Sequence, residues 1–285
     1  MRNRTIQLVK LRINILILKI RAALNFLPQL RRRILILGGV CMLLSVQFFL
    51  GQEKETVFIK NIVLVHGAWV DGSSWSKVIP ILESKGFNVT AVQLPLTSFA
   101  DDVATTRRAL ALEDGPTLLV GHSYGGAVIT EAGNDPRVAG LIYVAAVAPD
   151  QGESTVELLG SAPTPLGTEL RSDASGFLKL TPRGVAEDFA QCLPSREIEV
   201  LTATQSPTNL AALSGRVTSP AWRSKPSWYI VAGQDQAISP VLEEAQAKRI
   251  NAITITLPTC HVAMLGEPAK VADFIAAAGS KSDRD

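Results

Sequence analysis

The sequence predicts an α/β protein: a mostly parallel sheet flanked by helices, with a helical cap inserted into it. Three observations carry this. Apolar runs of strand length alternate with helical stretches over residues 61–147 and again over 228–278, as expected of parallel strands joined by right-handed crossovers. One strand-to-helix turn, Gly121-His122-Ser123-Tyr124-Gly125-Gly126, sets a serine between glycines. Residues 151–224 then break the alternation with prolines, Ser/Thr clusters and only short helical pieces, a stretch too long for a plain crossover.

Taken in order, residues 1–52 form a basic N-terminal segment with nine Lys/Arg and no Asp or Glu. Within it Arg31-Arg32-Arg33 precedes a run, 34–50, that carries no charge. A basic cluster before an apolar run is the pattern of a secretory signal or signal anchor, though the length is at the short end for a membrane span. The segment predicts export to the periplasm or cell exterior, or anchoring in the membrane, with association of residues 1–50 with the bilayer. A true start downstream of it would leave the protein cytoplasmic. Residues 53–285 then make up the folded domain, with the cap at 151–224.

In that domain Val57-Phe58-Ile59 and Asn61-Ile62-Val63-Leu64-Val65 are apolar runs split by Lys60, the second reading as a buried parallel strand. Residues 74–85 have helical spacing, with Gly86 as a C-cap. Residues 87–94 read as a strand, 99–112 as a helix and 116–120 as the strand entering the serine turn. Residues 138–147 form a further strand. Inside the cap, 182–192 and 195–202 read as helices. Strand 228–232, helix 241–250, strand 253–257 and helix 268–278 close the chain.

The serine turn is where chemistry is expected. Strand, sharp turn and helix around G-x-S-x-G make a nucleophile elbow. A Cβ at Gly121 or Gly125 would clash where the two backbones close in, and the serine must take a strained conformation. The turn also sets Tyr124 N–H at a helix start, where developing negative charge is favoured. A second backbone donor is expected from the loop after the first strand, at Ala68 in His66-Gly67-Ala68-Trp69. Of three histidines, His66 reads as structural, its ring bonding the turn backbone, and His122 as packed or locally bonded. His261, just past the last strand, remains as the base. Asp235, just past the preceding strand, is the preferred partner to fix its tautomer; Asp150, also just after a strand, is the rival. Ser123, Asp235 and His261 thus come in the chain order nucleophile, acid, base.

Composition excludes other classes. Hydrophobic residues are 47% and charged residues 19%. Beyond residue 52, nineteen basic residues face twenty-six acidic ones, so there is no basic footprint for nucleic acid. Cys41, Cys192 and Cys260 make no disulfide framework; Cys192 and Cys260 are free to pair, but nothing requires it. No Cys/His spacing suggests zinc, and there is no internal repeat.

With these residues assigned, the chain resembles the α/β-hydrolase superfamily over about residues 57–280. The likeness lies in Val63-Leu64-Val65-His66-Gly67-Ala68-Trp69, in Gly121 to Gly126, in Val231-Ala232-Gly233-Gln234-Asp235 and in His261. It is similar to the small branch that holds plant methylesterases, salicylate-binding esterases and hydroxynitrile lyases. There the run from His66 through Trp75 to Ser84-Lys85-Gly86-Phe87-Asn88-Val89-Thr90-Ala91-Val92 is shared. The resemblance implies an α/β-hydrolase fold and cofactor-free cleavage of a small, fairly apolar carboxylic ester through an acyl-enzyme. The lyases usually carry a threonine after the first histidine and a lysine just after the acid. Here those places hold Gly67 and, around Asp235, Gln234, Gln236 and Ala237. Dehalogenases and epoxide hydrolases of this fold use an aspartate nucleophile, which Ser123 argues against. Two alternatives stand beside ester hydrolysis: the same triad used for perhydrolase, lactonase or hydroxynitrile lyase chemistry, and a non-catalytic small-molecule binder on this fold.

Overall fold

The computed structural model describes residues 14–19, 21–22 and 59–280. The chain divides into two compact units, Met1–Glu55 and Thr56–Asp285. In the first, residues 14–19 and 21–22 are helical; the expected 34–50 run, and the 57–59 run except Ile59, lie outside the described residues. Among the described residues no helix is long and apolar enough to cross a membrane.

The second unit is built on β1 (Asn61–Val65), which is buried along its whole length. Helix α1 (Ile79–Ser84) comes next, starting later than the helical spacing from residue 74 implies. A 3-10 turn, Gly72–Trp75, takes up the first part, capped by the Asp71 carboxylate on Ser73 N–H, and Pro80 then sits at the helix start, where its missing N–H is harmless. Strand β2 (Asn88–Ala91) is half-exposed. Helix α2 (Phe99–Ala111) is capped by Ser98, whose hydroxyl accepts Asp101 N–H. Strand β3 (Thr117–His122) and helix α3 (Gly125–Ala132) flank the serine turn, and β4 (Val138–Val144) succeeds them.

Between β4 and the next core strand lies the cap. It holds helix α4 (Thr155–Ser161), begun by a reciprocal capping box between Ser154 and Glu157. Strands β5 (Leu170–Ser172) and β6 (Phe177–Leu180) come next. A helical stretch continues the cap, Pro182–Gly184 running into a π turn at Val185–Phe189. Helix α5 (Ser195–Thr204), strand β7 (Thr208–Asn209) and helix α6 (Leu210–Ser214) complete it. The cap is therefore not purely helical: β5, β6 and β7 form an antiparallel sheet. Its strands are two to four residues long, too short to show alternation in sequence. What builds the hairpin is turn chemistry: Asp173 Oδ1 accepts the N–H groups of Ser175 and Phe177, and Gly176 has φ +80°.

The chain then returns to the core with β8 (Ser227–Ala232), α7 (Pro240–Arg249), β9 (Ile253–Leu257) and α8 (Pro268–Gly279). The main sheet has the order β2-β1-β3-β4-β8-β9 and is parallel throughout. Its strands β1, β3 and β8 are buried residue for residue while the edge strands β2 and β9 are partly exposed, which explains their near-continuous apolar sequences. The chain moves outward from β1 to β2, crosses back to β3, and continues outward to β9. With right-handed crossovers this reversal puts α1 on one face and α2, α3 and α7 on the other. It also makes β1/β3 a topological switch point, where ligands bind beyond the carboxyl ends of the strands.

Candidate active site

The residues singled out from sequence all lie just past carboxyl ends of parallel strands: Ala68 after β1, Ser123 after β3, Asp235 after β8 and His261 after β9. Ser123 has φ +53°, a left-handed conformation that a side chain seldom adopts. The turn is over-determined by its surroundings. Ser123 N–H bonds Val144 O at 3.2 Å, and Ser123 O accepts N–H groups of Gly126 (3.0 Å) and Val147 (3.2 Å). A Cβ on Gly121 would lie 2.6 Å from Gly125 O, and one on Gly125 would lie 2.7 Å from the carbonyl oxygens of Val65 and His66. The clash expected at both glycines is real, and it is what lets β1, β3 and α3 meet. The loop after β1 approaches as closely: a Cβ on Gly67 would fall 2.6 Å from Ser123 Cβ.

His66 is structural. Its Nδ1 faces Gly67 O at 2.8 Å and its Nε2 accepts Leu94 N–H at 2.9 Å, which fixes one neutral tautomer. Burial holds its pKa below the ordinary histidine value. His122 is also buried and its pKa is driven well down by desolvation. Its partner is not local, however: Nε2 reaches His261 O at 3.1 Å, and the two rings lie 4.7 Å apart. The residue beside the serine thus holds the backbone of the distant histidine loop.

Asp235 pairs with His261, Oδ2 to Nδ1 at 2.6 Å, with both side chains buried. Asp235 Oδ1 accepts Ala237 N–H at 2.6 Å and Ile238 N–H at 2.9 Å. A carboxylate is an acceptor only, so Nδ1 carries the proton and Nε2 is left with its lone pair. Asp150, the rival acid, instead pairs with Arg223 at the surface.

Ser123 and His261 line one cavity of about 290 Å³. Its walls come from the cap, with Val156, Leu159, Leu166, Leu178 and Leu213, and from Trp69 and Ile238 below. Apart from the His261 ring, no lining side chain is ionisable. Trp69 ties cap to core: its N–H bonds Thr208 Oγ1 and its indole N–H bonds Leu178 O, each at 3.1 Å. Phe189 from the cap packs on both the His261 ring (5.0 Å) and Trp69 (6.4 Å). A disulfide joins Cys192 to Cys260, fastening the cap beside His261 and resolving the pairing that the sequence leaves open.

Two fully buried acids were not singled out from sequence. Asp102 accepts Tyr124 O–H at 2.6 Å and Leu96 N–H at 2.9 Å, and burial pushes its pKa up to about 6. In sequence it reads as an ordinary acidic residue in the first turn of α2. The other is Glu243 on α7, fully buried. Neither Ala68 N–H nor Tyr124 N–H is paired with an acceptor among the described residues. No cluster of His, Cys, Asp or Glu among the described residues is arranged to hold a metal ion.

A family model described as "Alpha/beta hydrolase family" matches residues 62–274. A pyrethroid hydrolase of Sphingobium wenxiniae is 28% identical over 248 residues, covering 76% of this chain and 87% of that protein. Methylesterase 8 of Arabidopsis thaliana is 24% identical over 274 residues, covering 86% and 98%. Among solved structures, a pyrethroid hydrolase from Sphingobium faniae superposes with a TM-score of 0.70 at 22% identity, covering 78% of this chain and 97% of that one. That likeness is one of fold.

Proposed function

This chain belongs to the α/β hydrolase family and is a carboxylic ester hydrolase, and we propose that it cleaves a small, neutral, fairly apolar ester through an acyl-enzyme on Ser123. His261 Nε2 takes the Ser123 proton as Oγ attacks the ester carbonyl. The oxyanion that forms is met by the free N–H groups of Ala68 and Tyr124, each such donor contributing about 3 kcal/mol to the transition state. The protonated His261 then gives its proton to the departing alcohol, and a water activated by the same ring releases the acid. Asp235 fixes the His261 tautomer and stabilises the imidazolium.

The observation that carries this reading is the Asp235–His261 pair, with Ser123 at positive φ, at the base of one apolar cavity. With no ionisable wall side chain besides His261, the cavity favours uncharged substrates over acids or amines. Residues 151–224 act as a cap that shapes it and keeps out water. Release of nitrophenol from short- and medium-chain nitrophenyl esters tests the reading. Ser123→Ala should lose all but a residual ~10³-fold catalysis over water, and turnover equal to the parent would refute it. The Cys192–Cys260 bond supports export to an oxidising compartment; recovery of the full chain in the cytosolic fraction would refute that part.

A further inference from the structure

Behind the Asp235–His261 pair sits a second carboxyl. Glu243, in the first turn of α7, is closed to solvent. Its Oε2 accepts Ala232 N–H at 3.0 Å, at the end of the strand that delivers Asp235. Its Oε1 meets no donor among the described residues. Its carboxyl neighbour is Asp235, three residues beyond Ala232, close enough for a proton to be shared between the two side chains. The other ionisable groups that influence it are Tyr229 and the exposed Glu244, neither of them a cation.

Two carboxylates are both acceptors, so only a shared proton can join them. Two buried carboxyl groups in contact without a cation cannot both be ionised. The competition for the proton is uneven. Asp235 already receives three N–H donors, from Ala237, Ile238 and His261; Glu243 receives one. The ionised form is better supported on Asp235, and the proton belongs to Glu243. Desolvation and the neighbouring Asp235 charge act in the same direction, holding the Glu243 pKa well above the ordinary range.

We propose that Glu243 is a positioning residue for the reaction: it stays protonated and donates its O–H to the Asp235 carboxylate, aligning that acid with His261 and limiting how strongly it draws the imidazolium. The role rests on the reading of Ser123, His261 and Asp235 as a catalytic triad. The fourth bond would temper the charge that Asp235 presents to the His261 ring.

Glu243→Gln keeps an acceptor for Ala232 N–H and supplies an N–H for Asp235, whereas Glu243→Leu removes both. Two spectroscopic measurements on the full chain need no ester. In infrared difference spectra at pH 8, the parent minus Glu243→Gln should show the carbonyl stretch of a buried protonated carboxylic acid; its absence would overturn the proposal even if the leucine variant does not fold. By proton NMR, the downfield Nδ1–H signal of His261 should titrate alike in the parent and the glutamine variant. In the leucine variant it should titrate about one unit higher, the equivalent of losing a hydrogen bond to a charged group. The acid limb of kcat/KM should move with it, and kcat should fall about tenfold or more with KM little changed. A leucine variant with a lowered Tm but an unmoved His261 titration would show packing alone and refute the role, as would a glutamine variant shifted like the leucine one. Ester turnover that survives Ser123→Ala would fail the triad reading instead, and leaves the infrared and NMR outcomes to stand by themselves.

Discussion

Asp102 links stability to pH in a direction opposite to that of most paired carboxylates. It is fully buried at the start of α2, bonded to Tyr124 O–H and Leu96 N–H, and desolvation outweighs both bonds to raise its pKa from 3.8 to about 6. Because the folded value exceeds the unfolded one, the native state holds the proton more tightly between pH 4 and 6. The associated stability is complete below about pH 4 and is lost as pH rises through about 6. The shift of roughly two units corresponds to at most about 3 kcal/mol. Asp102→Asn mimics the protonated acid: its Oδ1 accepts Leu96 N–H, and its amide donates to the Tyr124 oxygen. Urea unfolding of both proteins in steps from pH 4 to 8 should therefore show the variant gaining on the parent by about 2 kcal/mol, mostly between pH 4 and 6. His66 and His122, whose pKa values are lowered by burial, give the opposite pH dependence. They are present in both proteins and cancel in the difference. A difference that stays constant across this range would refute the assignment of a buried, titrating Asp102.

Other variants test other links. Asp235→Asn offers His261 Nδ1 the wrong partner and should lower kcat on nitrophenyl esters by about 10⁴-fold, with Tm changed far less. Replacing both Cys192 and Cys260 by serine opens a closure across 68 residues. In the chain-entropy account this costs about 4 kcal/mol, so the urea midpoint should fall sharply, and activity should fall with it as the His261 loop loses its tie to the cap. A midpoint within error of the parent would mean that the bond does not constrain the unfolded chain.

Local rules made most of the fold legible in the sequence. A parallel sheet needs apolar strands and crossover helices, and both leave periodic patterns; the elbow needs glycines at fixed offsets from Ser123. Because the proposed catalytic groups sit beyond strand ends, locating the strands also placed Ala68, Asp235 and His261 at one edge of the sheet, and it is Asp235, not Asp150, that bonds His261. The small sheet in the cap escaped because strands of two to four residues carry no period and are held by partners far along the chain, such as Leu96 O for Asn209 N–H. The His122 bond to His261 O, 139 residues away, escaped for the same reason.

The two fully buried acids were missed for a different cause. In sequence Asp101-Asp102 and Glu243-Glu244 are equivalent pairs at the starts of helices, where acidic residues complement the helix dipole. The fold separates each pair: Asp101 is exposed at the cap while Asp102 is buried, and Glu243 is buried while Glu244 is not. One member of each pair thus answers to the helix and the other to the site, Asp102 through the Tyr124 hydroxyl and Glu243 through Asp235. Both buried acids belong to helices on the face opposite α1, and each lies beneath one part of the proposed machinery, the oxyanion donor or the general base. The physical signal is the cost of burial itself: a carboxyl placed where it cannot be hydrated must be neutral or fully bonded. A fold that keeps two of them within contact of its site residues carries that cost at the site, where it can fix the geometry and proton affinity of the groups that react.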